Sequence, residues 1–317
     1  SPSASPANST SPEPVLPGPG DLFLGLDLHH AVVEAQSHWY DRIKARGVET
    51  WFVVYDLLPC QLPGCFPPGT DQLHRRWLQA ITRATGSVCI SRAVADDLTA
   101  WIREYEQLSG DSLSHQVRWF HQGSDLPVVT PSPSRSAHLR DRQEQENPLG
   151  LHLLMVGTIE PRKGYLQVLQ AMQLLWEREI PLTLTIVGRE GWRGLPDDHR
   201  RSLPETLALL QELCKRHPQQ LRWLNGASDE ELLAQYARAD ALLAASYGEG
   251  FGLPLVEARQ SGLEVIARDL PVFREVMADD AVYFVADSAD QLADWLQQWS
   301  GAQRSRRVAP GPGHLQR

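Results

Sequence analysis

At 317 residues and 35.5 kDa, with 42 % hydrophobic and 22 % charged residues, the chain has the make-up of a packed globular protein and room for two domains of roughly 150 residues each. A formal net charge of −9 excludes a protein whose main task is to neutralise nucleic-acid phosphates. No apolar run approaches the roughly 18 residues that span a bilayer, and the N-terminus lacks the basic-then-apolar order of a secretion signal, so the chain reads as cytoplasmic.

Residues 1–20 hold six prolines and five serines with little apolar content, and are expected to form a disordered leader. From Asp21 onward short apolar runs alternate with amphipathic stretches, the pattern of parallel α/β sheets. Strands are expected at Leu22–Leu26 and Trp51–Tyr55 with one helix, Ala31–Arg46, between them. A helix over Asp71–Ala84, a strand at Ser87–Ile90, a helix over Ala93–Leu108 capped by Ser91, and a strand at His115–Phe120 complete this half, 21–125. With at most four strands it reads as an incomplete Rossmann-like domain. Residues 126–150 lose periodicity and become rich in Pro, Ser and charge, as a linker does.

The second half, 151–300, is fuller. Strands are expected at Leu151–Val156, Leu182–Val187, Leu221–Leu224, Ala241–Ala245, Glu264–Ala267 and Val282–Val285. Helices are expected over Tyr165–Glu179, Pro204–Arg216, Pro254–Ser261, Val272–Met277 and Ala289–Trp299, together with one opened by the capping box of Ser228 and Glu231 and closing at Ala239. That order makes a doubly wound unit, and 301–317 is left as a Gly/Pro/Arg tail. Cys60, Cys65, Cys89 and Cys214 are scattered without the spacing of a zinc site and are expected to be reduced thiols without a chemical role.

Two stretches carry chemistry. In Glu249-Gly250-Phe251-Gly252-Leu253-Pro254-Leu255-Val256-Glu257 a glycine turn follows a strand, and Pro254 stands where a first helical residue tolerates proline. The amides of Phe251, Gly252, Leu253, Leu255 and Val256, with the positive helix end, make an anion site suited to a diphosphate. Carboxylates repel a phosphate, so Glu249 and Glu257 fit better as acceptors for sugar hydroxyls, Glu249 for a hexose and Glu257 for a ribose. In Gly157-Thr158-Ile159-Glu160-Pro161-Arg162-Lys163-Gly164 two adjacent cations follow a glycine turn at a strand end, where they can neutralise a departing diphosphate. A capping glutamate and a solvated basic pair are the plainer readings of each stretch alone; their shared sheet favours the ligand site.

Glu249 and Glu257 with seven residues between them, the intervening Gly-Phe-Gly-Leu-Pro and the Lys163-Gly164 loop resemble the retaining nucleotide-sugar glycosyltransferases of family 4. The resemblance implies the GT-B fold, two Rossmann-like domains facing across a cleft, with the N-terminal one incomplete here. The strings Gly157–Gly164, Ile186–Trp192 and Arg268–Val276 are similar to bacterial mannosyltransferases of O-antigen and exopolysaccharide assembly. By this resemblance Lys163 and Arg162 meet the donor diphosphate, Glu249 holds the sugar and Glu257 the ribose. Gly157, Thr158, Gly250, Phe251, Gly252 and Leu253 then line the phosphate, while Gly188 and the turn reaching Ser228 border the base. Thr158 stands where the family often has arginine, and Arg162 is expected to replace that charge. Many members carry His-Asp after the acceptor-side strand where this chain has Tyr55-Asp56, leaving Asp56 as the catalytic candidate; His29 and His30 follow another strand end and read as surface or capping residues, with lining of the cleft as the alternative.

The function implied is transfer of a hexose, mannose from GDP-mannose in preference to a UDP-sugar, to a glycan or lipid-linked glycan in cell-surface polysaccharide synthesis. The diphosphate itself accepts the acceptor proton, and no cofactor or metal is expected. Lipid-linked acceptors allow peripheral association with the inner membrane face. The competing readings are an inactive or truncated sugar-nucleotide-binding module and an epimerase or phosphorylase on the same fold.

Overall fold

The computed structural model of the chain describes residues 15–110, 112–123 and 150–308. The expected leader up to residue 14, the linker 126–149 and the tail beyond 308 lie outside the described residues.

The first half is a parallel sheet of β1 (Leu22–Gly25), β2 (Glu49–Val54), β3 (Gly86–Cys89) and β4 (Gln116–Trp119), ordered β1-β2-β3-β4. In the central β2, Trp51, Phe52, Val53 and Val54 are all buried, as an inner parallel strand requires. Around the sheet run α1 (His30–Ala35), α2 (Ser37–Ala45), α3 (Leu58–Gln61), α4 (Thr70–Ile81) and α5 (Arg92–Ser109). The single helix expected over Ala31–Arg46 is two, broken at Gln36, which ends α1 and begins α2. The break lets Val33 pack with the core of α4 while Tyr40 and Ile43 turn toward β2, two directions that one straight apolar stripe could not serve. Ser91 caps α5, accepting from the Val94 amide at 3.2 Å.

The second half is a six-stranded parallel sheet. Its strands are β5 (Leu151–Val156), β6 (Leu182–Val187), β7 (Leu221–Leu224), β8 (Ala241–Ala244), β9 (Glu264–Arg268) and β10 (Val282–Phe284), ordered β10-β9-β8-β5-β6-β7. The helices are α6 (Tyr165–Glu177), α7 (Leu203–Arg216), α8 (Asp229–Arg238), α9 (Leu253–Gln260), α10 (Pro271–Met277) and α11 (Ala289–Val308). The chain starts in mid-sheet at β5, builds outward to β7, then crosses back to β8. The carboxyl ends of β5 and β8 therefore flank a topological switch point, where open α/β sheets place their ligands. The helix expected to stop at Trp299 continues to Val308, so 301–308 is helix and not tail. Gln303 fixes this extension by donating through its amide to both Glu264 oxygens, at 3.0 and 2.8 Å. Among the described residues no helix is long and apolar enough to cross a membrane.

One buried group in the first half titrates far from its usual range. His74 on α4 is fully buried; its Nε2 donates to the Asp56 carbonyl at 3.1 Å and its Nδ1 accepts from His30 Nε2 at 2.9 Å. Burial, reinforced by His30, pushes the imidazole from 6.5 down to about 4. The unfolded chain thus binds a proton near pH 6.5 that the fold refuses until about pH 4. Stability is full above that window and falls by roughly 3 kcal/mol as the pH drops through it. Thermal melts are expected to show this acid slope, and His74→Gln, which keeps a donor for Asp56, is expected to flatten it. An unchanged slope would place the acid sensitivity elsewhere.

Candidate active site

Two loops at the switch point interlock. Gly164 ends a single 3-10 turn, Pro161–Lys163, with φ 73°, and a Cβ there would stand 2.3 Å from the Ala245 carbonyl oxygen, so only glycine brings this turn against the end of β8. The Tyr247 amide then donates to the Arg162 carbonyl at 2.8 Å, and Tyr165 Oη donates to the Gly157 carbonyl at 2.7 Å. Behind the second loop, the buried Arg268 guanidinium lies between the Tyr247 and Phe284 rings, 4.6 and 5.1 Å from their centroids. It donates to Gln167 Oε1 and to the Ala245 and Ala286 carbonyls, holding residues 245–247 in place.

This frame brings Arg162, Lys163 and Glu249 together. Lys163 Nζ and Ser246 Oγ both donate to Glu249 Oε1, the latter at 2.7 Å, and Arg162 Nη1 donates to Oε2 at 3.0 Å. Arg162 Nε also donates to Glu160 Oε2 at 3.0 Å. The three central side chains are only 11–19 % exposed. Burial pushes the Glu249 carboxyl up, but Lys163 and Arg162 outweigh it and hold the group below the ordinary glutamate value. Burial likewise lowers Arg162, and Glu249 and Glu160 together reverse the shift. The cations read from sequence as free for a diphosphate are thus neutralised here by the residue read as the sugar acceptor. The recess beside them, lined by Lys163, Ser246, Glu249, Gly252 and Leu255, has a volume of about 20 Å³, little more than one water needs.

The glutamate turn differs in detail from its sequence reading. α9 opens at Leu253, with Gly252 as its left-handed cap at φ 98°, and Pro254 follows as the second helical residue. The Leu255 amide already bonds the Gly252 carbonyl at 3.0 Å and does not serve an anion; the amides before it keep the lack of intrahelical partners that a helix start imposes. Gly248 and Gly250 answer to the first half of the molecule. A Cβ on Gly250 would lie 2.1 Å from the Tyr55 carbonyl oxygen, and one on Gly248 would lie 2.5 Å from Leu58 Cδ2. Phe251 turns its buried ring into an apolar cluster with Val53, Ile90 and Val256, bridging the halves.

The remaining candidates fall into separate groups. Glu257 Oε2 accepts from Tyr236 Oη at 2.7 Å and joins a different network from Glu249. Ser228 spends its side chain on the α8 cap, accepting from the Glu231 amide while Glu231 bonds back to the Ser228 amide. Thr158 is exposed at the loop tip, and Gly188 lies so close to Gly157 that a Cβ would stand 1.9 Å from its carbonyl oxygen. Asp56 enters from the end of β2 as a half-buried carboxyl accepting from the Leu58 amide at 3.0 Å. Burial raises its pKa, and that amide and Arg162 offset the rise only in part. His29 pairs with Asp27 in solvent, whereas His30 is tied to His74. Arg268 and Tyr236 were missed because their partners lie 101 and 21 residues away, whereas Ser246, only 3 residues before Glu249, was missed because a lone serine before a glycine turn carries no spacing signal.

Residues 140–309 match the family described as glycosyl transferases group 1. The serotype-specific mannosyltransferase WbdA of Escherichia coli is 35 % identical over 294 residues, covering 90 % of this chain and 34 % of that protein. The chain therefore spans about a third of the length of this curated relative. Among solved structures, HepE of Anabaena in complex with UDP-glucose aligns with a TM-score of 0.62 at 17 % identity, over 89 % of this chain and 70 % of the other. Sucrose-phosphate synthase of Thermosynechococcus elongatus aligns with 0.63 at 18 %, over 90 % and 69 %. These neighbours share the GT-B arrangement expected from the sequence. With its second half spanned by that match, the chain belongs to the group 1 glycosyl transferases.

Proposed function

We propose that the chain transfers a hexose, mannose in the first instance, from a nucleoside diphosphate sugar to a glycan or lipid-linked glycan acceptor in surface polysaccharide synthesis. The observation that carries this reading is the Arg162–Lys163–Glu249 cluster at the switch point. Two half-buried cations beside a helix start are matched to a diphosphate, and an internal carboxylate keeps them paired until the donor arrives. On binding, Lys163 and Arg162 exchange Glu249 for the diphosphate oxygens, and Glu249 is released to the sugar hydroxyls. The cations then stabilise the charge that grows on the diphosphate as the anomeric bond breaks. A β-phosphate oxygen takes the acceptor proton, and retention follows from attack on the face the diphosphate leaves.

The likeness to the mannosyltransferase WbdA supports mannose, and GDP-mannose is the donor we favour. The UDP-glucose bound by HepE makes a UDP-sugar the alternative to test, since that likeness speaks for the fold alone. No cofactor is required by this scheme. A lipid-linked acceptor would bring the chain to the inner face of the membrane as a peripheral protein.

Calorimetric titration with GDP, UDP and ADP should show GDP binding tightest. Lys163→Ala should weaken it at least about 30-fold, the effect of roughly 2 kcal/mol expected when a buried charge pair loses one partner. Glu249→Ala should abolish turnover. Selective UDP binding would overturn the donor, normal turnover in either variant would overturn the site, and GDP binding without GDP release from GDP-mannose and acceptor would make the chain a binding module.

Asp56 gives an independent check. Its carboxyl is raised in the fold, so its ionisation costs stability at neutral pH, and that cost fades as the pH falls through the folded value. Asp56→Asn, which keeps the bond from Leu58, should melt higher than the parent near pH 7.5, lose that advantage in acid, and turn over more slowly if Asp56 meets the acceptor. A variant no more stable at neutral pH would show that Asp56 carries no burial cost.

A further inference from the structure

α5 is an eighteen-residue helix whose first turn contains no acidic residue and opens with Arg92, a cation at the end where the helix dipole favours an anion. The anion comes from the other half of the molecule. Glu275 on α10 accepts from the Arg92 amide through Oε1 and from the Ala93 amide through Oε2, each at 2.7 Å. The next amide, Val94, is taken by the Ser91 hydroxyl, which itself donates to the Gly250 carbonyl at 2.7 Å. His121, just beyond β4, brings Nε2 to 2.6 Å from Glu275 Oε1 and sets its ring 5.6 Å from that of Phe251. The Glu275 side chain is 15 % exposed. Its other charged neighbours are engaged elsewhere: Arg274 holds Asp269, and the Arg92 guanidinium reaches Asp96.

These bonds join residues 154 to 183 positions apart and span the two halves at the loop that carries Glu249. Gly250, bonded to Ser91 and packed on Tyr55, directly follows Glu249, and Asp56 directly follows Tyr55. We propose that Glu275 is a positioning residue for sugar transfer: by clasping the amino end of α5 to the donor half, it fixes the separation between Asp56 and the Lys163–Glu249 cluster. It touches neither donor nor acceptor. The catalytic part of this inference rests on the proposed donor site; the clasp itself does not.

Three variants test it: Glu275→Ala, Glu275→Gln, and the double variant Arg92→Asp/Glu275→Ala, which gives α5 an acid of its own without restoring the link. Small-angle scattering of the ligand-free chain, GDP affinity, and kcat and KM are measured for each. Glu275→Ala is expected to enlarge the radius of gyration and lower kcat about 100-fold, the scale of a small misplacement in a reacting pair, with GDP affinity within about threefold of the parent. Glu275→Gln, which keeps one acceptor oxygen, is expected to fall between. The double variant is expected to regain the parent melting temperature yet stay open and slow, and it carries the test if Glu275→Ala alone fails to fold. Parent-like scattering in Glu275→Ala, or full recovery of scattering and kcat in the double variant, would overturn the clasp and reduce Glu275 to a helix cap. If the parent binds no nucleoside diphosphate but Glu275→Ala still expands, the donor reading fails and the clasp stands.

Discussion

The pairing of Glu249 with Lys163 and Arg162 governs the second half of the molecule. Two cations and a carboxylate at low exposure are tolerated only when each finds its partner, because an unpaired buried charge costs several kcal/mol. The partners come from loops 86 residues apart, so the sheet must place β5 beside β8 and the loops must lock at atomic distance. Gly164 permits the contact, Ser246 completes the carboxylate's bonding, and Arg268 braces the loop from beneath with its bonds to three oxygens. Glu249 occupies the place of a ligand's negative charge, which lets a cation site fold and persist before any donor is present.

The first half closes on this cluster through backbone. Tyr55, Ile90 and Ser91 meet Gly250, while Leu58 meets Gly248, so the glycines on either side of Glu249 serve contact between the halves. Phe251 and Val256 add an apolar seal with Val53 and Ile90. Asp56 is carried into the same space at a cost in burial that a purely structural position would not require. Donor loop, acceptor-side carboxylate and inter-half contacts are therefore one assembly, and a change in any of them is felt at Glu249.

Much of this was legible in the sequence wherever the signal is local. Short apolar runs between amphipathic stretches placed the six strands of the second half near their observed bounds, and the capping box at Ser228 formed with both of its bonds. What could not be read depends on partners distant in the chain or on packing direction. The break at Gln36 follows from two cores competing for one helix, and the extension of α11 to Val308 depends on Glu264, 39 residues before Gln303. Gly250 and Phe251 were legible as parts of a ligand turn, but not Gly250 as the residue on which the Tyr55 carbonyl packs nor Phe251 as a ring that belongs to the seam. The site residues were found as types; that Glu249 would neutralise the neighbouring cations was beyond any spacing rule.

The decisive measurement is a crystal structure of the chain with GDP bound. If Glu249 holds the place of the donor's charge, Lys163 Nζ and the Arg162 guanidinium will have left it and will lie about 2.7–2.9 Å from diphosphate oxygens, with the Glu249 carboxylate freed toward the position of the sugar. A nucleotide bound with the Lys163–Glu249 and Arg162–Glu249 pairs intact, or seated away from the carboxyl ends of β5 and β8, would contradict it.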